Sequence, residues 1–223
     1  MRKEYDTVIR ISSERAEIVV EQEAGGVTSR KTLTPNAFAE CILGSRYEEN
    51  EQFTGFLPEN CLCAALSNRS TWYFIRYPDL FADISYFGTD YEHFPIPRLV
   101  FGFKYTPADG KIVESRMCVV KDERLTMDTP TFTYPFSNVY AGGRICLGNN
   151  ALPVYKDPTR IFTLANFILR MPNNNDMFHT GDNKLGMGYR DLLEHLKDRA
   201  PEYYYSDVLI VDGKTLKDFI SGR

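Results

Sequence analysis

Between residues 61 and 120, five short stretches rich in β-branched and aromatic residues follow one another, at 61–66, 71–76, 80–87, 99–105 and 112–120. Turn chemistry separates several of them, at Asn68-Arg69, Tyr77-Pro78-Asp79 and Ala108-Asp109-Gly110. Strands this short and this closely spaced pair as an antiparallel meander. That meander is the strongest constraint on the fold, and the rest of the chain must be arranged around it.

Upstream, apolar and charged residues alternate over 7–11 and 16–20, and a Gly25-Gly26 turn leads into a third alternating stretch, 27–33. This pattern predicts a small antiparallel sheet. Thr34-Pro35-Asn36 reads as a helix start, with Phe38, Cys41, Ile42 and Leu43 on one face and Gly44 as the stop. The acidic run 47–52 has charge without periodicity and reads as a solvated loop. Downstream, Ile161, Leu164, Ala165, Ile168 and Leu169 form a helical stripe over 158–171, with Pro158 in its first turn. A second helix is predicted over 189–199, then a strand at 208–211, an Asp212-Gly213 turn and a short helix carrying Leu216, Phe219 and Ile220. The expectation is an α+β protein, an antiparallel β-meander flanked by helices. Residues 1–56 form an amino-terminal β extension with a short helix, and 57–223 a compact core with its carboxy-terminal elements.

Composition removes several function classes. With 30 Asp+Glu against 26 Lys+Arg the net charge is −4, so no overall positive field attracts nucleic acid or an anionic membrane. Residues 1–12 carry charges at Arg2, Lys3, Glu4, Asp6 and Arg10 without an apolar run, unlike a signal peptide or transmembrane helix, so a cytoplasmic location is expected. Five scattered cysteines fit a reducing compartment better than a disulfide framework. Cys61 and Cys63 have no second Cys/His pair at zinc spacing, and His93, His179 and His195 lie far apart in sequence, so no metal is expected.

The chemically informative stretch is Pro135-Phe136-Ser137-Asn138-Val139-Tyr140-Ala141-Gly142-Gly143-Arg144-Ile145-Cys146-Leu147. Two adjacent glycines permit a tight turn that brings an amide, Asn138, back towards a thiol, Cys146. An amine attacking a thioester passes through a tetrahedral oxyanion, which needs a donor aimed at the developing charge; Asn138 is suited to that task.

These residues resemble the catalytic segment of ubiquitin-conjugating (E2) enzymes, whose pattern is His-Pro-Asn, a Val/Ile-Tyr-like pair, a glycine-containing turn and then hydrophobic-Cys-Leu. The matching residues are Asn138, Val139, Tyr140, Gly143, Ile145, Cys146 and Leu147. Downstream, Tyr155, Pro158, Ile168-Leu169 and Pro172-Asn173-Asn174-Asn175-Asp176 continue the match, the last resembling the family's Pro-Asn-x-x-Asp loop. Asp128-Thr129-Pro130, Pro135-Phe136 and Gly143-Arg144-Ile145-Cys146-Leu147-Gly148 look more closely like the bacterial group called prokaryotic E2 family D, which includes protein B of the PRTRC gene clusters. Leu57-Pro58-Glu59-Asn60 and Trp72-Tyr73 resemble the stretch opening that group's core.

What the resemblance implies is a UBC (E2)-like fold and an E2-like conjugating transferase. Cys146 would carry a ubiquitin-like protein as a thioester received from an E1-like adenylating enzyme and pass it to an amine on an acceptor protein. Asn138 would assist transfer, and Asp176 would face the incoming lysine. No cofactor is implied for the E2 itself. A JAB-type metalloprotease from the same gene cluster is an implied deconjugating partner, and antiphage defence or plasmid maintenance an implied setting. Two departures stand out. Phe136 and Ser137 occupy the places of the family's His and Pro, which calls for another support of the turn, such as ring packing of Phe136. The amino-terminal helix that meets the E1 in eukaryotic E2s is replaced by a β extension.

Other readings stay open at this point. An E2-variant module could bind a ubiquitin-like protein without catalysis, and a Cys146/His179 pair could make a thiol hydrolase. His179 is read as a surface histidine, because no third orienting residue suggests itself. Cys41, Cys61, Cys63 and Cys118 lie in apolar-periodic contexts and are read as core thiols. Gly142-Gly143 lacks the Lys-Ser/Thr of a phosphate loop. Tyr203-Tyr204-Tyr205 is read as packing.

Overall fold

The computed structural model describes residues 6–12, 14–24, 26–44 and 54–222. The chain divides into two compact units, Met1–Thr54 and Gly55–Arg223.

The first unit holds three strands, β1 (Asp6–Ile11), β2 (Ile18–Ala24) and β3 (Val27–Leu33), in an antiparallel sheet of that order. Alternation places Glu21 where it meets Arg10 at 2.7 Å and Arg30 at 3.8 Å, so one carboxylate serves both neighbouring strands. The second strand starts and ends later than its apolar residues suggest, because Glu21, Gln22 and Glu23 pair with β3 through backbone atoms despite their polarity. Gly26 has φ +81°, as the expected turn requires, while Gly25 and the acidic run 47–52 lie outside the described residues. Helix α1 (Pro35–Gly44) starts where Thr34 Oγ1 accepts from the Ala37 N–H at 3.2 Å. Of its expected apolar face, Phe38 is half-buried and Cys41, Ile42 and Leu43 are exposed.

The second unit contains β4 (Cys61–Leu66), β5 (Thr71–Arg76), β6 (Phe81–Tyr86), β7 (Thr89–Pro95), β8 (Leu99–Thr106), β9 (Lys111–Val120), β10 (Pro130–Phe132) and β11 (Val211–Thr215). Six of these form one sheet in the order β11-β10-β9-β8-β5-β4, with antiparallel pairing throughout. The expected single meander needs a correction here. Residues 80–87 do not continue it; β6 leaves the sheet and pairs with β7 as a separate hairpin. Its two-residue turn, Phe87-Gly88, has φ +45° and +77°, a conformation that phenylalanine does not advertise.

The two faces of the large sheet bury different cores. On one, Tyr73, Ile75, Phe101, Phe103, Met117 and Val119 pack in the same cluster as α2 (Leu164–Leu169) and α3 (Tyr189–Leu196). On the other, Phe74, Val100, Cys118 and Val120 meet Leu216 and Phe219 of α4 (Leu216–Ser221). The long helix expected over 158–171 is divided: Asp157 caps a 3-10 stretch, Pro158–Thr163, before α2 begins. The last strand also differs from expectation. Val208 ends a π-turn, Tyr204–Val208, and Asp212-Gly213 lies inside β11 as a bulge opposite Pro130–Phe132. The Asp212 carboxylate accepts from Thr131 Oγ1 at 2.8 Å and from the Lys214 N–H at 2.9 Å, which closes the bulge without a chain reversal. A capping box between Thr215 and Asp218 then starts α4. Among the described residues no helix is long and apolar enough to cross a membrane.

Candidate active site

Asn138 enters the site with φ +64°, a left-handed conformation that asparagine tolerates better than most side chains. The chain then folds into a small hairpin. The Cys146 N–H donates to the Asn138 carbonyl at 2.7 Å, and the Tyr140 N–H donates to the Arg144 carbonyl at 2.8 Å. Gly142 and Gly143 make the turn with φ +91° and +88°. The hairpin is fastened to β9 through backbone atoms: Met117 N–H to Gly143 O at 2.7 Å, and Ile145 N–H to Ser115 O at 2.9 Å. A Cβ on residue 143 would run into the Met117 carbonyl, so only glycine fits the close approach.

Below the hairpin, Phe136 is 3% exposed in an aromatic box, edge-on to Phe94, Tyr134 and Tyr204 and stacked on Tyr189 with ring centres 5.9 Å apart. Ser137, 1% exposed, donates to Asn173 Oδ1 at 2.9 Å. A buried ring and a hydroxyl thus hold the segment ahead of Asn138.

The Cys146 thiol is half-buried and accepts the Tyr140 hydroxyl at 3.8 Å. The Arg144 guanidinium lies 4.3 Å from the centre of the Tyr140 ring. The hydrogen bond to Cys146 pushes the Tyr140 phenol above its ordinary pKa, and the Cys146 charge adds to this while Arg144 opposes it. The other thiols of this unit are less suited to attack. Burial raises Cys61, Cys63 and, most strongly, Cys118, which favours their neutral form.

The Asn138 amide is turned to the loop after α2, where its nitrogen donates to the Pro172 carbonyl at 3.2 Å and to Asn173 Oδ1 at 3.4 Å. The residue therefore ties the hairpin to that loop with its side chain and holds Cys146 with its carbonyl. Asp176 is exposed; its carboxylate accepts from Asn174 Nδ2 at 3.0 Å, and its N–H donates to Asn174 Oδ1 at 2.7 Å. No hydrogen bond or ion pair joins Asp176 to Cys146 or Asn138 among the described residues.

Asn173 is the residue that sequence reasoning passed over. It is 9% exposed and joins three segments: Ser137 and Asn138 through Oδ1, the Ser85 carbonyl at the end of β6 through its N–H and Nδ2, and the Phe87 N–H through its own carbonyl. Tyr86 adds a bond from its hydroxyl to Asn175 Oδ1 at 2.7 Å. Beside the hairpin lies a groove of about 830 Å³ with Val139 to Arg144 on one wall, and His179 and Asp182 also line it. Cys146 is not among its lining residues; Tyr140 lines it and touches the sulfur.

The model of prokaryotic E2 family D matches residues 39–167, a span that takes in Asn138 and Cys146 and stops before the asparagine-rich loop. The match covers more than half of the chain, and the protein belongs to that family. No curated protein and no solved structure shows a significant match.

Proposed function

Starting from membership of prokaryotic E2 family D, we propose that the protein is a conjugating transferase working through Cys146. An E2-like role with E1-like and ubiquitin-like partners goes with the family in general; the thioester chemistry is our reading. The Cys146 thiolate attacks the thioester carbonyl presented by an E1-like enzyme, a new S–C bond forms and the E1 thiolate leaves. An amine of the acceptor protein then attacks that carbonyl, an N–C bond replaces the S–C bond, and the amine sheds a proton. Exchange between thioesters is close to isoenergetic, so the protein's task is positioning and stabilising the oxyanion.

The observation that carries this reading is the Asn138–Cys146 hairpin. It holds a half-exposed thiol on a sheet-anchored turn, opposite an asparagine fixed at both its carbonyl and its amide. Asn138 has two tasks in this scheme: its anchored amide sets the turn, and its release from Pro172 and Asn173 frees a donor for the oxyanion. Asp176 orients the incoming amine from the neighbouring loop. We read β4, β5, β8 and β9 with α2 and α3 as a UBC-type core within 57–223, and 1–56 as the extension that replaces the usual amino-terminal helix. A JAB-type deconjugase from the same gene cluster is the partner we propose for reversal.

The test is incubation with the E1-like enzyme, ATP and the cognate ubiquitin-like protein. The expected result is a DTT-sensitive adduct that is lost in Cys146→Ala and becomes DTT-resistant in Cys146→Ser. An adduct that persists in Cys146→Ala would move the chemistry to another cysteine. Binding without an adduct would mark a non-catalytic E2-variant module, and cleavage of the partner's tail a Cys146/His179 hydrolase.

A further inference from the structure

Three side chains of the hairpin contact one another in turn, and the roles above use only the last of them, Cys146. The Arg144 guanidinium lies over the Tyr140 ring at 4.3 Å, and the hydroxyl of that ring reaches the Cys146 sulfur at 3.8 Å. The hairpin register fixes this arrangement, since Tyr140 and Arg144 are joined by the Tyr140 N–H to Arg144 carbonyl bond. We propose that Tyr140, polarised by Arg144, is a positioning residue that holds the Cys146 thiolate by an O–H···S hydrogen bond and so sets the pH range in which the sulfur attacks. The proposal rests on Cys146 being the nucleophile.

The physics follows from charge. A thiolate is a stronger acceptor than a thiol, so a donor fixed on the sulfur favours the ionised form. A cation on the ring face withdraws electron density from the phenol and sharpens its O–H as a donor. Removing the hydroxyl leaves the ring and its packing, and removes only the donor. The direction of the Tyr140 shift agrees, because a phenol donating to sulfur resists losing its proton.

Other charged groups share the groove that Tyr140 lines. They are Glu114 and Arg116 on β9, His179 and Asp182 in the segment after α2, Asp212 and Lys214 on β11, and Asp218 on α4. Of these, His179 carries the one imidazole, which makes it the necessary control.

The experiment needs no conjugation partner. The whole protein is alkylated with iodoacetamide across a pH series, and the Cys146 peptide is followed by mass spectrometry with the exposed Cys41 peptide as reference. The thiolate displaces iodide, so the rate reports the ionised fraction. Tyr140→Phe is expected to slow Cys146 alkylation about three- to tenfold near neutral pH, with the rates converging at high pH, in line with one modest hydrogen bond to a charged group. Arg144→Gln shifts the profile in the same direction by less, and His179→Gln leaves it in place. A Tyr140→Phe profile that overlays the parent, or a slowing equal at every pH, overturns the proposal. Loss of the adduct in the conjugation assay with this alkylation shift intact defeats the conjugation reading alone.

Discussion

Replacing Asn173 by alanine probes the joint between the Cys146 hairpin, the β6–β7 hairpin and the loop after α2. The lost side chain accepts from Ser137 at 2.9 Å, donates to the Ser85 carbonyl at 3.2 Å and accepts from Asn138 at 3.4 Å. Ser137 is left with the Tyr189 hydroxyl at 3.5 Å, a poor replacement for a hydroxyl that is almost fully buried. A net hydrogen bond contributes about 1 kcal/mol and an orphaned buried donor costs about 1–3 kcal/mol, so the truncation should cost about 2–4 kcal/mol. For a unit of this size that lowers Tm by about 5–15 °C. Calorimetry on Asn173→Ala, Ser137→Ala and the double variant gives the coupling. Both single variants break the same bond, so the double should fall short of their sum by about 1 kcal/mol. Strict additivity, or a melting point unmoved by Asn173→Ala, would refute the argument that this residue holds the three segments together.

Asn138→Ala should leave adduct formation largely intact but slow discharge to free lysine about 100-fold, the scale of one oxyanion donor; because residue 138 has φ +64°, Asn138→Gly separates backbone strain from amide loss, and recovery of discharge in the glycine variant would remove the amide from the mechanism. Gly143→Ala should push the hairpin off β9 and lower Tm by well over 5 °C, at a cost above about 2 kcal/mol for the clash and the positive φ together; an unshifted melt would show that the Met117 contact yields easily. Asp176→Ala should slow discharge most near neutral pH and recover as free lysine deprotonates, read by single-turnover discharge across pH; a pH-independent loss would point to Asp182 instead. Stability should fall on the alkaline side. Burial, then the Glu194 carboxylate, push Tyr91 up to about 12, and burial also raises Tyr134, Tyr189 and Tyr204. Unfolded tyrosines lose their protons near pH ~10, so the contribution is complete below that value and is lost as pH rises through the folded values. Thermal melts on either side of pH ~10 should show the fall, and Tyr91→Phe should lessen it.

What could be read in the sequence follows from how local each signal is. Strands β4, β5, β8 and β9 are short, closely spaced apolar runs and were legible, as was the Asn138–Cys146 spacing, because the two glycines between those residues permit the turn. Strand β7 was not, since Asp90, Glu92 and His93 interrupt its pattern and only Tyr91, Phe94 and Pro95 are buried. His93 even takes φ +50°, next to a register shift between Ala82 and Ile84 on β6. Asp212-Gly213 misled for the opposite reason: it carries a turn signature, but Thr131 turns it into a bulge. Asn173 depends on Ser85 and Ser137, partners 88 and 36 residues away, and no local pattern announces such a meeting. The Tyr140–Arg144 stack needs the hairpin register before it can be seen.

The attachment of the hairpin to β9 by main-chain bonds at residues 143 and 145 separates where the sulfur sits from which side chains surround it. Ala141 and Arg144 are exposed, and neither side chain takes part in those bonds. Substitution of Ala141 changes the exposed surface of the turn while the Cys146 sulfur stays registered to the sheet. Under the conjugation reading, partner preference can therefore diverge by a change at Ala141, without a compensating change at Cys146 or in the core beneath it.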